Sequence, residues 1–75
     1  MYRVTINGRE HKIEVKTLSY EEVVWLAHRV DAEDRPACSV AWKVRGQNLG
    51  GTLCAGQHLY CRDDLVFNAV WTGAA

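Results

Sequence analysis

The run Leu65-Val66-Phe67-Asn68-Ala69-Val70-Trp71 constrains the fold more than any other segment of the chain. Side chains of a strand alternate between two faces, which places Leu65, Phe67 and Ala69 on one face and Val66 and Val70 on the other. A strand that is apolar on both faces belongs in the middle of a sheet rather than at its edge. Asn68 prefers the second face, so Leu65 and Phe67 are expected to point into the main core. A final strand that is also a central one must insert between strands formed earlier in the sequence.

Those earlier strands are legible. Tyr2-Arg3-Val4-Thr5-Ile6 and His11-Lys12-Ile13-Glu14-Val15-Lys16 alternate apolar and polar residues, with Asn7-Gly8 between them. Asn-Gly is the preferred pair for a tight hairpin because both positions tolerate positive φ. The pattern predicts Tyr2, Val4, Ile6, Ile13 and Val15 on the core side and Arg3, Thr5, Lys12 and Glu14 in water. Ser19-Tyr20-Glu21-Glu22 then fits a capping box, with Leu18 and Val23 placed for a hydrophobic staple. The helix it opens is expected to run to about Arg29, burying a stripe of Tyr20, Val23, Val24 and Ala27, with His28 and Arg29 at its negative end.

Asp31-Ala32-Glu33-Asp34-Arg35-Pro36 carries the only proline and predicts a surface loop. Cys38 to Val44 alternates as a third strand. Gly46, Gly50 and Gly51 fall within six residues, but their spacing is not that of a phosphate-binding loop, and a turn is expected. Thr52-Leu53-Cys54 and the Ala55-Gly56 turn lead into a short strand from Gln57 to Cys61, and Asp63-Asp64 turns the chain into Leu65. The order is strand, strand, helix, strand, strand, strand. It predicts an α+β domain with a mixed five-stranded sheet and one helix on one face. Laying the last strand parallel to the first completes a ubiquitin-like β-grasp topology over residues 1–72, with 73–75 as a short flexible tail.

Composition excludes several classes of function. Nine basic residues balance nine acidic ones in 75, and no basic stripe marks a nucleic-acid surface. Nothing approaches the ~20 apolar residues that cross a bilayer, and no basic start precedes an apolar run, so a cytoplasmic protein without a leader is expected. Cys38, Cys54 and Cys61 are an odd count without a Cys-x-x-Cys pair, which speaks against a disulfide scaffold. Cys54, His58 and Cys61 lie close in sequence, yet zinc needs a fourth ligand and none is evident, so free thiols and no metal are expected. His11, His28 and His58 have no companion motif for nucleophilic catalysis. Neither an enzyme nor a bound cofactor is expected.

Several phrases resemble the bacterial ubiquitin-like proteins described as multiubiquitin domains. They are Tyr2-Arg3-Val4-Thr5-Ile6-Asn7-Gly8, Leu18-Ser19-Tyr20-Glu21-Glu22-Val23-Val24, Gly51-Thr52-Leu53 with Gly56, and Phe67-Asn68 with Val70 and Thr72-Gly73. The resemblance spans nearly the whole chain. It implies a protein modifier or its precursor, with activating-enzyme, conjugating-enzyme and peptidase homologues from the same operon as partners, target proteins as acceptors, and a role in anti-phage defence. Under it, Thr72, Gly73, Ala74 and Ala75 are the conjugation tail, small enough to enter the nucleotide site of an activating enzyme. The chain departs from the diglycine end of ubiquitin-type modifiers, which argues against a sulfur carrier, and the mature end is either Ala75 or Gly73 after trimming. The other reading is a β-grasp interaction module that is never conjugated. Under both readings, partners are expected on the outward sheet face, at Val66, Asn68 and Val70 with Ala41 and Lys43 on the neighbouring strand.

Overall fold

The computed structural model describes residues 1–33 and 38–71. The expected loop residues Asp34, Arg35 and Pro36, and the expected tail from Thr72 to Ala75, lie outside the described residues. The hairpin forms as the pattern predicts. Strands β1 (Tyr2–Ile6) and β2 (Arg9–Ile13) pair antiparallel across Asn7 and Gly8, whose φ values of 51° and 80° need the left-handed region that these two residues tolerate. Val4 and Ile6 are buried.

Val15 is a correction. It was expected on the core side with Ile13, yet it is 51% exposed. The register supplies the reason: Ile13 pairs with Tyr2, where β1 begins, so Val15 has no strand beside it to hold the alternation. The chain instead forms a three-residue strand, β3 (Thr17–Ser19), and passes directly into helix α1 (Tyr20–His28).

Both arms of the capping box are present. The Ser19 hydroxyl accepts from the Glu22 amide at 3.1 Å, and the Glu22 carboxylate accepts from the Ser19 amide at 3.0 Å. Leu18, before the cap, and Val23, four positions after it, are both buried. Tyr20 and Val24 join them in the core, and the Tyr20 hydroxyl donates to the Cys38 carbonyl at 2.6 Å. The helix stops at Arg29, which takes φ 59° and ψ 30° while its amide donates to the Trp25 carbonyl.

Next in sequence come β4 (Cys38–Val44), β5 (Gly50–Leu53), β6 (His58–Tyr60) and β7 (Leu65–Trp71). The main sheet has the order β2-β1-β7-β4-β5. As expected, β7 lies in the middle, parallel to β1 (Thr5 beside Val66, Ile6 beside Phe67) and antiparallel to β4 along its whole length. The architecture is α+β, with a mixed five-stranded sheet and one helix, consistent with β-grasp topology. Leu65, Phe67 and Ala69 are buried, as are Val44 opposite Leu65, Val40 opposite Ala69, and Cys38 farther along β4.

The fifth strand differs from expectation. Gly50 and Gly51, expected in a turn, open β5 and pair with Lys43 and Trp42. A Cβ on Gly50 would stand 2.7 Å from the Trp42 carbonyl oxygen, so glycine is there to let two backbones approach. The segment from Gln57 to Cys61, expected to belong to the sheet, contributes β6 to a separate two-stranded ladder with β3. That ladder is continued by hydrogen bonds from the Tyr20 amide to the Gln57 carbonyl and from the Cys61 amide to the Lys16 carbonyl.

Candidate functional site: the open face of the sheet

The helix and the core occupy one face of the sheet, and alternation turns every second side chain to the other. On β7 the outward residues are Val66, half-buried, and Asn68 and Val70, exposed. On β4 they are Ser39, Ala41 and Lys43, all exposed. Register brings them into rows: Val66 is opposite Lys43, Asn68 opposite Ala41, and Val70 opposite Ser39. All five residues expected as a partner surface therefore share one continuous patch on two adjacent central strands.

The same register adds residues that the sequence reading did not single out. Thr5 lies beside Val66 on the β1 side, with Glu10 beyond it, and Thr52 and Gly50 flank Ala41 and Lys43 on β5. Their alternation was visible in the sequence, but which strands were neighbours was not. The patch is apolar at Val66 and Val70, the latter 56% exposed, and small at Ala41 and Gly50. Charges surround it: Lys43 on one side, and Arg3, Lys12 and Glu10 on the other. Exposed apolar side chains set among polar and charged ones are a usual form of a protein-binding patch, and here Asn68 separates the two valines.

At the far end of β7 a second group of residues meets. Ala69 accepts from the Asn7 side-chain amide at 3.0 Å, and its own amide donates to the Asn7 side-chain oxygen at 2.7 Å. The Asn7 backbone amide donates to the Phe67 carbonyl. His28 Nε2 lies 2.9 Å from the same Ala69 carbonyl, and the His28 ring packs against Trp71 with centroids 4.4 Å apart. Ala69, near the end of β7, is thus held between the hairpin turn and the end of the helix. The expected conjugation tail, Thr72, Gly73, Ala74 and Ala75, lies outside the described residues.

The remaining candidates are dispersed. Cys38 and Cys61 are buried, and burial pushes both thiols up from the ordinary range, with Glu22 adding to the effect on Cys61. Cys54 is exposed in the turn after β5, and its amide donates to the Gln57 side chain. Among the described residues, no three His, Cys, Asp or Glu side chains come together as a metal-binding group. The three histidines sit on different elements: His11 on β2, His28 at the end of α1 and His58 on β6. No helix among the described residues is long and apolar enough to cross a membrane. Compared with protein-family models, with curated proteins and with solved structures, the chain finds no match.

Proposed function

We propose that this chain is a bacterial ubiquitin-like protein modifier, recognised by an activating enzyme through the open sheet face and joined to target proteins through a carboxylate in the segment that follows β7. The observation that carries the reading is the position of β7. It is the central strand, parallel to β1, carries the Val66–Val70 patch on its outward face, and is bonded near its end at Ala69 by Asn7 and His28, which supports recognition through this strand. The resemblance of the hairpin, capping-box and last-strand phrases to bacterial ubiquitin-like proteins supports the same reading, as analogy.

In this reaction the carboxylate attacks the α-phosphorus of ATP, forming an acyl adenylate and releasing pyrophosphate. An enzyme nucleophile then displaces AMP to form an acyl-enzyme, and a target amine or hydroxyl displaces that nucleophile to form an amide or an ester. The chain supplies the acyl group and a recognition surface, and the catalytic groups belong to its partners. Gly73, Ala74 and Ala75 suit the role because a narrow nucleotide channel admits only small side chains. A place in anti-phage defence, in the cytoplasm, belongs to the same proposal.

The test is pyrophosphate exchange with the activating enzyme encoded beside this protein, comparing the full chain with one lacking Thr72 to Ala75. Exchange should require the tail, and Lys43→Glu should weaken it while leaving the fold intact. Intact mass from cells carrying the neighbouring genes reports the mature end and any adducts. Equal exchange with and without the tail would instead favour a non-conjugated interaction module. The exposure of Val70, on the same face of β7 as Val66 and Asn68, supports that second reading without reference to the tail.

A further inference from the structure

A group of basic side chains gathers away from the open face, where the first hairpin approaches the end of α1. On β2, Arg9 and His11 stand opposite Ile6 and Val4, which are buried. Residues opposite each other share a face, so Arg9 and His11 turn toward the helix side of the sheet. Arg29, at the end of α1, completes the group, for its charge and that of Arg9 both act on the half-buried His11 ring. Burial first, then Arg29 and then Arg9, lower the His11 pKa.

Nothing neutralises this group. Among the described residues, neither guanidinium has a hydrogen-bond or ion-pair partner. Glu10 lies between Arg9 and His11 in sequence, so alternation turns it to the opposite face. Asp31, two residues beyond Arg29, is exposed and pairs with neither arginine. His28 is engaged by the Ala69 carbonyl and the Trp71 ring, and β1 presents the buried Val4 and Ile6 to this face. The negative end of α1 opposes the two guanidinium charges with roughly half an elementary charge.

Arg29 is also strained. It takes φ 59°, in the left-handed region where glycine is the usual residue at a helix end. The fold alone does not call for arginine there, and strain retained beside an unpaired charge cluster points to a function. Two free guanidinium forks match the oxygens of a tetrahedral oxyanion, and a dianion balances their charge. A neutral imidazole supplies one further N–H donor.

We propose that Arg9, His11 and Arg29 form a binding site for a phosphate group, with the guanidinium forks gripping its oxygens and the imidazole donating to one of them. The group is either free phosphate or a phosphorylated residue of a partner protein. This site is separate from the open sheet face, and the inference holds whether or not the chain is conjugated.

The experiment is a titration of ¹⁵N-labelled protein with inorganic phosphate and with end-blocked phosphoserine, at constant ionic strength. Saturable shifts are expected at the Arg9 and Arg29 Nε–H groups and at the His11 ring, with a Kd below about 5 mM. Phosphoserine binding at least as tightly as inorganic phosphate assigns the group to a partner protein, and weaker binding assigns it to the free ion. Acetate, with one charge and two oxygens, should bind about tenfold more weakly. The bound dianion should raise the His11 pKa, read from its ring protons, because it offsets both arginines. Arg29→Gly keeps the helix end that glycine favours, so it should lose about tenfold or more in affinity without losing thermal stability. Arg9→Lys keeps the charge but not the fork, and should weaken binding about threefold or more. Arg45→Gln, in the exposed turn between β4 and β5, should leave binding unchanged. Amide dispersion matching the parent shows that each variant is folded. No saturable shift at about 20 mM phosphate would overturn the proposal. So would acetate binding as tightly as phosphate, undiminished binding by folded Arg29→Gly, or an equal loss in Arg45→Gln.

Discussion

Asn7 and Ala69, 62 residues apart in sequence, exchange two hydrogen bonds, with the Asn7 carboxamide taking the place of a peptide group beside β7. One residue therefore turns the first hairpin with its backbone and extends the parallel β1–β7 pairing with its side chain. The parallel pair joins distant parts of the chain, and a side chain that mimics the ladder lengthens it by one step. The contact lies where β7 meets the end of α1, so it also helps anchor the last strand against the helix.

The Asn7–Ala69 pair predicts that Asn7→Gly keeps the turn and loses stability. Glycine accepts the positive φ without strain, so the turn is kept and the side-chain bonds are the main loss, with glycine's unfolded-state entropy a smaller addition. Two partly buried hydrogen bonds at about 1 kcal/mol each set the expected loss at about 2 kcal/mol. A urea midpoint matching the parent would show that the carboxamide contributes nothing beyond the turn.

Ser19→Ala removes one arm of the capping box and should cost about 1 kcal/mol. Ser19→Asp keeps an acceptor for the Glu22 amide, so it should recover most of that loss. Equal midpoints for the alanine and aspartate variants would mean that the cap does not stabilise the domain.

Arg29 ends the helix in the left-handed conformation, which a side chain occupies at a cost of roughly 1–2 kcal/mol relative to glycine. Glycine gains unfolded-state entropy worth roughly 0.4–1 kcal/mol in the opposite direction. The relief of strain is the larger effect, so Arg29→Gly is expected to stabilise the domain by up to about 1 kcal/mol. Thermal unfolding checks the sign.

His11 predicts a pH dependence. Burial first, and then the charges of Arg29 and Arg9, lower its pKa in the folded state. The unfolded chain therefore takes up this proton at higher pH than the folded one does. Stability from His11 is full above the usual histidine value of about 6.5 and is lost as pH falls through that value toward the lowered one. His11→Gln should flatten this part of the profile, measured by urea unfolding between about pH 7.5 and 5. An unchanged slope would show that His11 stays as solvated as in the unfolded chain.

Much of the architecture is written locally. Asn7-Gly8 specifies its turn because few other pairs accept two positive φ angles. Ser19 and Glu22 mark the helix start because their bonds span only three residues. Leu65 to Trp71 announces a central strand because both faces are apolar, and the boundaries of β4 and β7 match the alternation in the sequence. The outward positions Val66, Asn68, Val70, Ala41 and Lys43 follow from the same period of two. What reaches beyond one element was harder to see. Val15 fits the alternation yet lies outside the ladder, since strand length is set by the partner as well as by the pattern.

By itself the sequence determined the turn, the cap, the helix and the faces of the strands, because these depend on propensity and periodicity over a few residues. Only the tertiary structure decided that Gly50 is a point of backbone contact with β4 rather than part of a turn, that β6 pairs with β3 outside the main sheet, and that Asn7 bonds Ala69. It also decided that Val15, between β2 and β3, and Trp25 on α1, ten residues apart, line one groove beside an open strand edge. Each of these rests on register and on close approach between segments distant in sequence, and neither quantity leaves a mark on residue type strong enough to read in one chain.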